Sequence, residues 1–397
     1  KSKGNVLDPI DLIDGIELEA LLKKRTEGMM QPHLREKIAQ QTKDDFPDGI
    51  VAYGTDALRF TFAAMATNGR DINFSTGRIE GYRNFCNKIW NAARFVLMNT
   101  EGKDCATDHD NYELTTVDHW VISRLQYAES EVVRGFEAYR FDRSSTAIYE
   151  FIWNEYCDWY LELTKPVLNS DDTSDAIKAG TRRTLLRVLE TAMRLAHPIM
   201  PYITEEIWQK IAPLAGKSGD TIMRASYPIF DASKQNTEAE TSIQWVQAFI
   251  LSVRKIRGEM NIAPGKPLAV FLVGASVQDK ANAEEHLNLL QFIGRISDLT
   301  ILDNEADAPE SAVAMMDEMK LMIPLAGLID KDAELSRLEK EIEKAEANIA
   351  RTRGKLSNAS FTDKAPELVV EKEREKLAQG ETLITNLNIQ LEKIKTM

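Results

Sequence analysis

From Arg78 to Leu97 the chain reads RIEGYRNFCNKIWNAARFVL, and Tyr82, Phe85, Cys86, Ile89, Ala93 and Val96 recur in it at steps of three and four. That spacing lines one side of an α-helix and predicts a buried stripe. Asn84, Lys88, Asn91 and Phe95 recur at about 3.6 residues and form a second stripe, flanked by Arg94. Amides and cations reach base edges and phosphates, and an aromatic ring stacks on a base, so this row suits unpaired nucleotides. The same spacing also fits a stripe packed on another helix, with Phe95 as ordinary core.

Helical patterns dominate what surrounds this element. Asp8-Pro9 opens a helical run from Ile10 to Lys24. Arg25 to Ile50 is polar, holds Pro32 and Pro47, and reads as an inserted surface excursion with a short helix over His33 to Lys43. Gly69 to Phe74 reads as a turn with a short extended arm. Thr116 is the expected cap of a helix from Val117 to Tyr139, with Val121, Leu125, Ala128, Val132 and Phe136 inward. Asp142 is the expected cap of the next, Arg143 to Leu163, where Ile148, Ile152, Trp159 and Leu163 pack, Trp153, Asn154 and Asp158 point elsewhere, and Lys165-Pro166 ends the helix. Ala176 to Ala196 is a further helix. The break His197 to Tyr202 then places Pro201 in the first turn of one running to Ile211. Long helices with short joints make a bundle.

Past Pro228 the pattern changes. A helix over Thr241 to Glu259, strands at Leu268 to Val273, Leu299 to Leu302 and Met319 to Pro324, and a helix over Asp279 to Ile293 make a small α+β unit. Arg254, Lys255 and Arg257 crowd the end of the first helix, with Lys266 in the turn beyond, a grouping better explained by dipole compensation than by phosphate binding. From Lys331 onward Leu335, Leu338, Ile342, Ala345, Ile349, Thr352 and Leu356 form a heptad seam. Asn358 to Pro366 interrupts it, and Val370, Leu377, Ile384, Leu387, Leu391 and Ile394 resume it, with Gly380 as its weak point. A break near the midpoint with Pro366 at the start of the second run favours an antiparallel hairpin over a parallel homodimeric coil. The expected fold is therefore mainly α: an entry segment at 1–76 with its insertion at 25–50, a helical bundle at 77–228, an α+β unit at 229–330, and a C-terminal helical hairpin, a coiled coil, at 331–397.

Composition narrows the class. With 397 residues, 43% hydrophobic and 28% charged, the chain is expected to form several globular domains. No apolar run approaches the roughly 18 residues that span a bilayer, so no membrane role and a cytoplasmic location are expected. Cys86, Cys105 and Cys157 are odd in number and far apart, and no Cys or His pair has ligand spacing, so reduced thiols and no metal site are expected. A net charge of -13 argues against indiscriminate nucleic-acid coating, DNA included, but leaves room for a local basic surface.

KSKGNVLDP at the start, with Gly54-Thr55-Asp56-Ala57-Leu58-Arg59-Phe60 further on, resembles class I aminoacyl-tRNA synthetases around the end of their KMSKS loop. The resemblance implies that Lys1 and Ser2 are the last letters of that loop, that Lys1 is catalytic, and that both contact ATP (with Mg2+) in the parent enzyme. An ammonium there stabilises charge developing on the leaving polyphosphate. No histidine is followed two places later by glycine, so the HIGH signature is absent. The chain is thus expected to be the C-terminal part of such an enzyme, inactive alone and needing no cofactor of its own. HPIMPYITEEIW is similar to a corner of the anticodon-binding bundle in the valine, isoleucine and leucine members, and NFCNKIWNAARF and LSNASFTDKAPELVVEKEREKL are most similar to the valine member. That implies a monomer that binds tRNA(Val) for charging with valine. Lys88, Asn91, Arg94 and Phe95, with Trp153 and Asn154, would then face the anticodon, and Arg351, Arg353, Lys355 and Lys364 the outer corner of the tRNA. An isoleucine enzyme, whose C-terminal zinc cysteines are missing here, and a coiled-coil interaction scaffold are the alternatives.

Overall fold

The computed structural model describes residues 7–29, 31–67, 75–325, 331–357 and 367–396. They fall into two compact units. The first comprises the described residues up to Ile250 together with Ala281–Gly294, and the second comprises Leu251–Lys280 with the described residues from Arg295 onward.

In the first unit the expected helical run at the start is two helices, α1 (Pro9–Asp14) and α2 (Leu18–Thr26). Gly15 separates them with φ of +82°, a conformation open to glycine, and a side chain there would meet the backbone of Ile50 and Ala52. The stretch from Arg25 to Ile50 is more than a solvated excursion. Its helix α3 (Arg35–Asp45) buries Ile38 and Thr42, and Ile50 pairs with Ile16 in a single β-bridge. Ile50 and Phe46 join Leu12, Leu21, Ala57, Leu58 and Ile79 in one apolar cluster, which ties this entry region to the bundle.

The bundle is built from α4 (Thr55–Met65), α5 (Thr76–Thr100), α6 (Thr116–Glu137), α7 (Phe141–Tyr149), α8 (Leu161–Asn169), α9 (Asp175–Ala196) and α10 (Pro201–Leu214). Between α7 and α8 the chain is π-helical over Glu150–Tyr160, so 141–169 is one long helix with a widened middle. Pro166 lies inside α8 rather than ending it, because a proline removes the bond to the preceding turn and leaves the following turn intact. Neither expected cap holds. Thr115 caps α6 in a reciprocal box with Asp118, and Asp142 instead receives both Nε and Nη2 of Arg140 at 2.8 and 2.6 Å.

Three buried carboxylates organise the interior. Asp118 accepts from the Tyr160 hydroxyl at 2.6 Å, from Thr181 at 3.0 Å, and from the Thr115 amide and hydroxyl at 2.9 and 2.7 Å. It thereby joins α6, the π-helical segment and α9. Glu190 receives the Arg194 fork at 2.8 Å per bond and the Trp208 indole N–H at 2.8 Å. Asp56 of α4 accepts from the amides of Tyr202 and Ile203 at 3.3 and 2.6 Å, capping α10 from a distant part of the chain. Arg59, one turn on, donates to the carbonyls of Ile199 and Pro198 at 2.9 and 3.0 Å. GTDALRF and HPIMPYITEEIW are therefore two halves of one joint.

A further acid, Glu129 on α6, is buried, and its Oε2 has no partner. Burial raises its carboxyl from the ordinary 4.5 to about 7, against the pull of Lys234 and Arg194. The folded chain holds this proton more tightly than the unfolded chain, so stability is expected to fall as pH rises from about 4.5 to about 7. Urea midpoints across that window should decline in the native chain, by about 2 to 3 kcal/mol of this group's contribution, and less steeply in Glu129→Gln. Superimposable profiles would contradict this.

The second unit receives the end of α11 (Thr237–Glu259), so the division between the two units falls inside that helix. Its sheet has the order β2-β1-β4-β3, from β1 (Leu268–Val273), β2 (Ile296–Leu302), β3 (Ser311–Met316) and β4 (Met319–Pro324). β1 and β2 are parallel, and the other pairs are antiparallel. The helix expected over 279–293 is two, α12 (Val277–Glu285) and α13 (Leu287–Gly294), broken at His286, whose ring is buried against the Ser242 hydroxyl at 2.6 Å in the first unit. Arg257 is buried and donates to the carbonyls of Ala263 and Arg295 at 3.0 Å each, a structural task within the cationic helix end.

The chain ends in α14 (Lys331–Leu356) and α15 (Glu367–Thr396). Arg353 bonds Glu381 at 2.8 Å and Lys355 lies 3.6 Å from Glu373, while Leu335 and Ile342 pack with Leu387 and Leu391, which fixes an antiparallel hairpin. At Gly380 the helices pack closely, since a Cβ there would lie 2.9 Å from Ile349 Cγ1. It is a contact point and not a weak one. The turn Asn358 to Pro366 lies outside the described residues.

Candidate nucleic-acid interface

Helix α5 carries the two faces its sequence implies. Ile79, Phe85, Ile89, Ala93 and Val96 are buried, with Tyr82 and Cys86 half-buried beside them. Asn84, Asn91 and Arg94 are exposed, whereas Lys88 and Phe95 are half-buried at the edge where α5 meets the next long helix.

At that edge Lys88 pairs with Asp158, and its ammonium lies 4.5 Å from the centre of the Trp153 ring. Trp153 and Asp158 are five residues apart. On an α-helix they would point about 140° apart, but in the i→i+5 register of the π-helix they are neighbours and clamp one lysine from both sides. Trp153 stacks on Tyr149 with centroids 5.4 Å apart and planes 16° apart, and Tyr149 in turn lies 4.8 Å from Phe85. The indole is thus set by the core behind it. Two turns along α5, the Phe95 ring has the Lys165 ammonium 5.8 Å from its centre, and Lys165 is bonded to Glu162 at 2.6 Å. Asn154 is exposed beside Trp153.

Lys88, Trp153, Phe95, Asn91 and Arg94 are therefore brought to one face, and Asp158, Tyr149 and Lys165 are added to those expected. Asp158 was legible as a surface residue, but its partnership with Lys88 depends on the π register, which a 3.6-residue period does not reveal. Chemically the face offers exposed amide and guanidinium donors next to two rings and two ammonium groups. That set is suited to unstacked bases and their phosphates.

On the hairpin Arg351, Arg353 and Lys355 are exposed near the turn, with Arg353 and Lys355 in the ion pairs given above. Glu373 is buried between Lys355 and Lys376, the latter at 2.9 Å, and these cations hold its carboxyl below the usual range. Lys364, Lys1 and Ser2 lie outside the described residues. Among the described residues no group of acids, histidines and cysteines is arranged to hold a metal, and no helix is long and apolar enough to cross a membrane. All three cysteines are free, and burial pushes the Cys86 and Cys157 thiols up to about 12, which keeps them unreactive.

Two family models match this chain. Residues 118–272 match the anticodon-binding domain of tRNA ligase, and residues 330–395 match the valyl tRNA synthetase tRNA binding arm. The first begins within α6, so α5 precedes it, and the second coincides with the hairpin. Among solved structures, the ternary complex of an Agrobacterium radiobacter LeuRS with tRNA and LeuAMS is similar at 17% identity and a TM-score of 0.34, over 52% of this chain and 22% of that one. The bundle and the hairpin are thus tRNA-binding modules of the tRNA-ligase kind. The chain therefore carries tRNA-binding domains of the aminoacyl-tRNA synthetases.

Proposed function

We propose that this chain is the tRNA-binding part of a valine-tRNA ligase, an ATP-dependent enzyme that joins valine to tRNA(Val). The observation that carries the valine reading is the match of residues 330–395 to the valyl arm, on a segment that folds as an antiparallel hairpin with exposed cations near its turn. In this reading the α5 face and the π-helical segment receive the anticodon loop, and the hairpin meets the outer corner of the same tRNA. Anticodon bases are unpaired, so their Watson–Crick edges are open to Asn91 and Arg94 while a ring replaces lost stacking. Lys88 and Trp153 form a pre-set wall, because Asp158 and Tyr149 fix both side chains before RNA arrives. Arg351, Arg353 and Lys355 meet backbone phosphates, which position the RNA without reading its sequence. Lys1 and Ser2 are assigned to the ATP phosphates, a step that needs the nucleotide-binding fold of the whole enzyme.

Phe95→Ala tests the anticodon assignment. Affinity for a valine tRNA transcript should fall by about 1 to 3 kcal/mol, roughly 5- to 150-fold, with the urea midpoint little changed. Unchanged affinity with a lowered midpoint would make Phe95 a packing residue and remove it from the site.

A further inference from the structure

Helix α9 presents Arg182, Arg183 and Arg187 within six positions, on a chain whose net charge is -13. Such a cluster is ordinarily offset by nearby acids. Here the partners are neutral: Arg183 donates to the Ala106 carbonyl and lies 4.5 Å from the centre of the Tyr112 ring, and Arg182 donates to the Asp104 carbonyl at 3.4 Å. The Nε of Arg182 is buried with no partner. None of the three forms an ion pair among the described residues. Two acids act on them only at longer range and are bonded elsewhere, Asp104 to the Ala106 amide at 2.8 Å and His109 at 3.1 Å, and Glu190 to Arg194 and Trp208. Partial desolvation, and after it repulsion from Arg183 one helical turn away, lowers the proton affinity of Arg187. Arg183, held by a backbone carbonyl and a ring, has Arg187 one turn along the same helix, and neither is in an ion pair among the described residues, so the two are pre-set for an anion.

We propose that Arg183 and Arg187, backed by Tyr112, form a phosphate-binding edge on the bundle that takes the sugar–phosphate backbone of the bound RNA, apart from the base-reading face of α5. The proposal rests on the tRNA reading above and adds a contact to it. The edge tethers RNA of any sequence, so it contributes affinity and salt dependence and no discrimination between anticodons.

The test is the salt dependence of binding of a valine tRNA transcript to the full 397-residue chain, native and Arg183→Gln/Arg187→Gln, between 50 and 200 mM salt. The double variant is expected to bind at least about fivefold more weakly at 50 mM salt, with a plot of log affinity against log salt flatter by about 1.5. Arg183→Lys/Arg187→Lys should recover most of the slope, because each charge is kept. Should the double variant melt early, Arg187→Gln alone, a change at an exposed side chain, should flatten the slope by about 0.8. Parallel plots for native and variant chains, with anticodon preference intact in both, would overturn this edge and leave the base-reading face standing. Absence of binding by the native chain would overturn both.

Discussion

Asp118→Ala is expected to lower the unfolding free energy of the chain by about 3 to 4 kcal/mol, the largest loss among single polar-to-alanine changes in the bundle. The reason is the number of groups it would orphan. The Tyr160 hydroxyl, the Thr181 hydroxyl and the Thr115 amide and hydroxyl all donate to this one carboxylate, and Asp118, Tyr160 and Thr181 are buried. Each buried group left without a partner costs about 1 to 3 kcal/mol, and the cap of α6 is lost at the same time. Asp118→Asn keeps one oxygen and the shape, and its amide donates to a hydroxyl that can turn to accept, so about half the loss is expected. Urea denaturation followed by far-UV circular dichroism measures both. A loss under about 1 kcal/mol for the alanine variant would mean that water or another group satisfies these donors.

Gly180→Ala is expected to destabilise by about 3 kcal/mol, although alanine is the better helix former. Gly180 sits in α9 where the loop before α6 crosses it, tied down by the Glu113 amide bonded to the Ala176 carbonyl at 3.1 Å. A Cβ at 180 would lie 1.9 Å from the Glu113 carbonyl oxygen and 2.8 Å from its carbon. Both atoms are backbone, so relief requires the loop to leave the helix. Gly81→Ala in α5 is the matched control, since a Cβ there meets nothing within 4 Å, and a gain of about 0.5 to 1 kcal/mol is expected. Equal effects at the two positions, read from thermal midpoints, would mean that the loop does not rest on α9 as described.

Much of this architecture is readable from periodicity. The α5 stripe, the α9 helix, strands β1 and β4, and the hairpin seam all follow from spacing alone, because each packs one face against a neighbour and repeats that face at a fixed step. What spacing does not carry is register and distance. The meeting of Trp153 and Asp158 on Lys88 requires a π-helical ladder, and the grip of Asp56 and Arg59 on the chain near Pro201 joins segments about 140 residues apart. β3 does carry a local signal: SAVAMM and MKLMIP flank the two-residue turn Asp317-Glu318, where Asp317 has φ of +50°. The misplaced caps of α6 and α7 show the same limit on a small scale. A run such as Thr115-Thr116 offers two caps, and the acid three residues beyond the first one decides between them. Within the candidate interface, the residues of α5 were legible because they share one helix, while Lys165 and Tyr149 entered only through tertiary packing.

In the proposed function the α5 face and the π-helical segment read the anticodon of a valine tRNA. Titration of the full chain with a valine tRNA transcript and with the same transcript carrying a substituted anticodon, at one ionic strength, tests it most directly. The substituted tRNA is expected to bind at least about tenfold more weakly, the loss of about 1.4 kcal/mol of base-specific contact. Equal affinities for the two transcripts would contradict it.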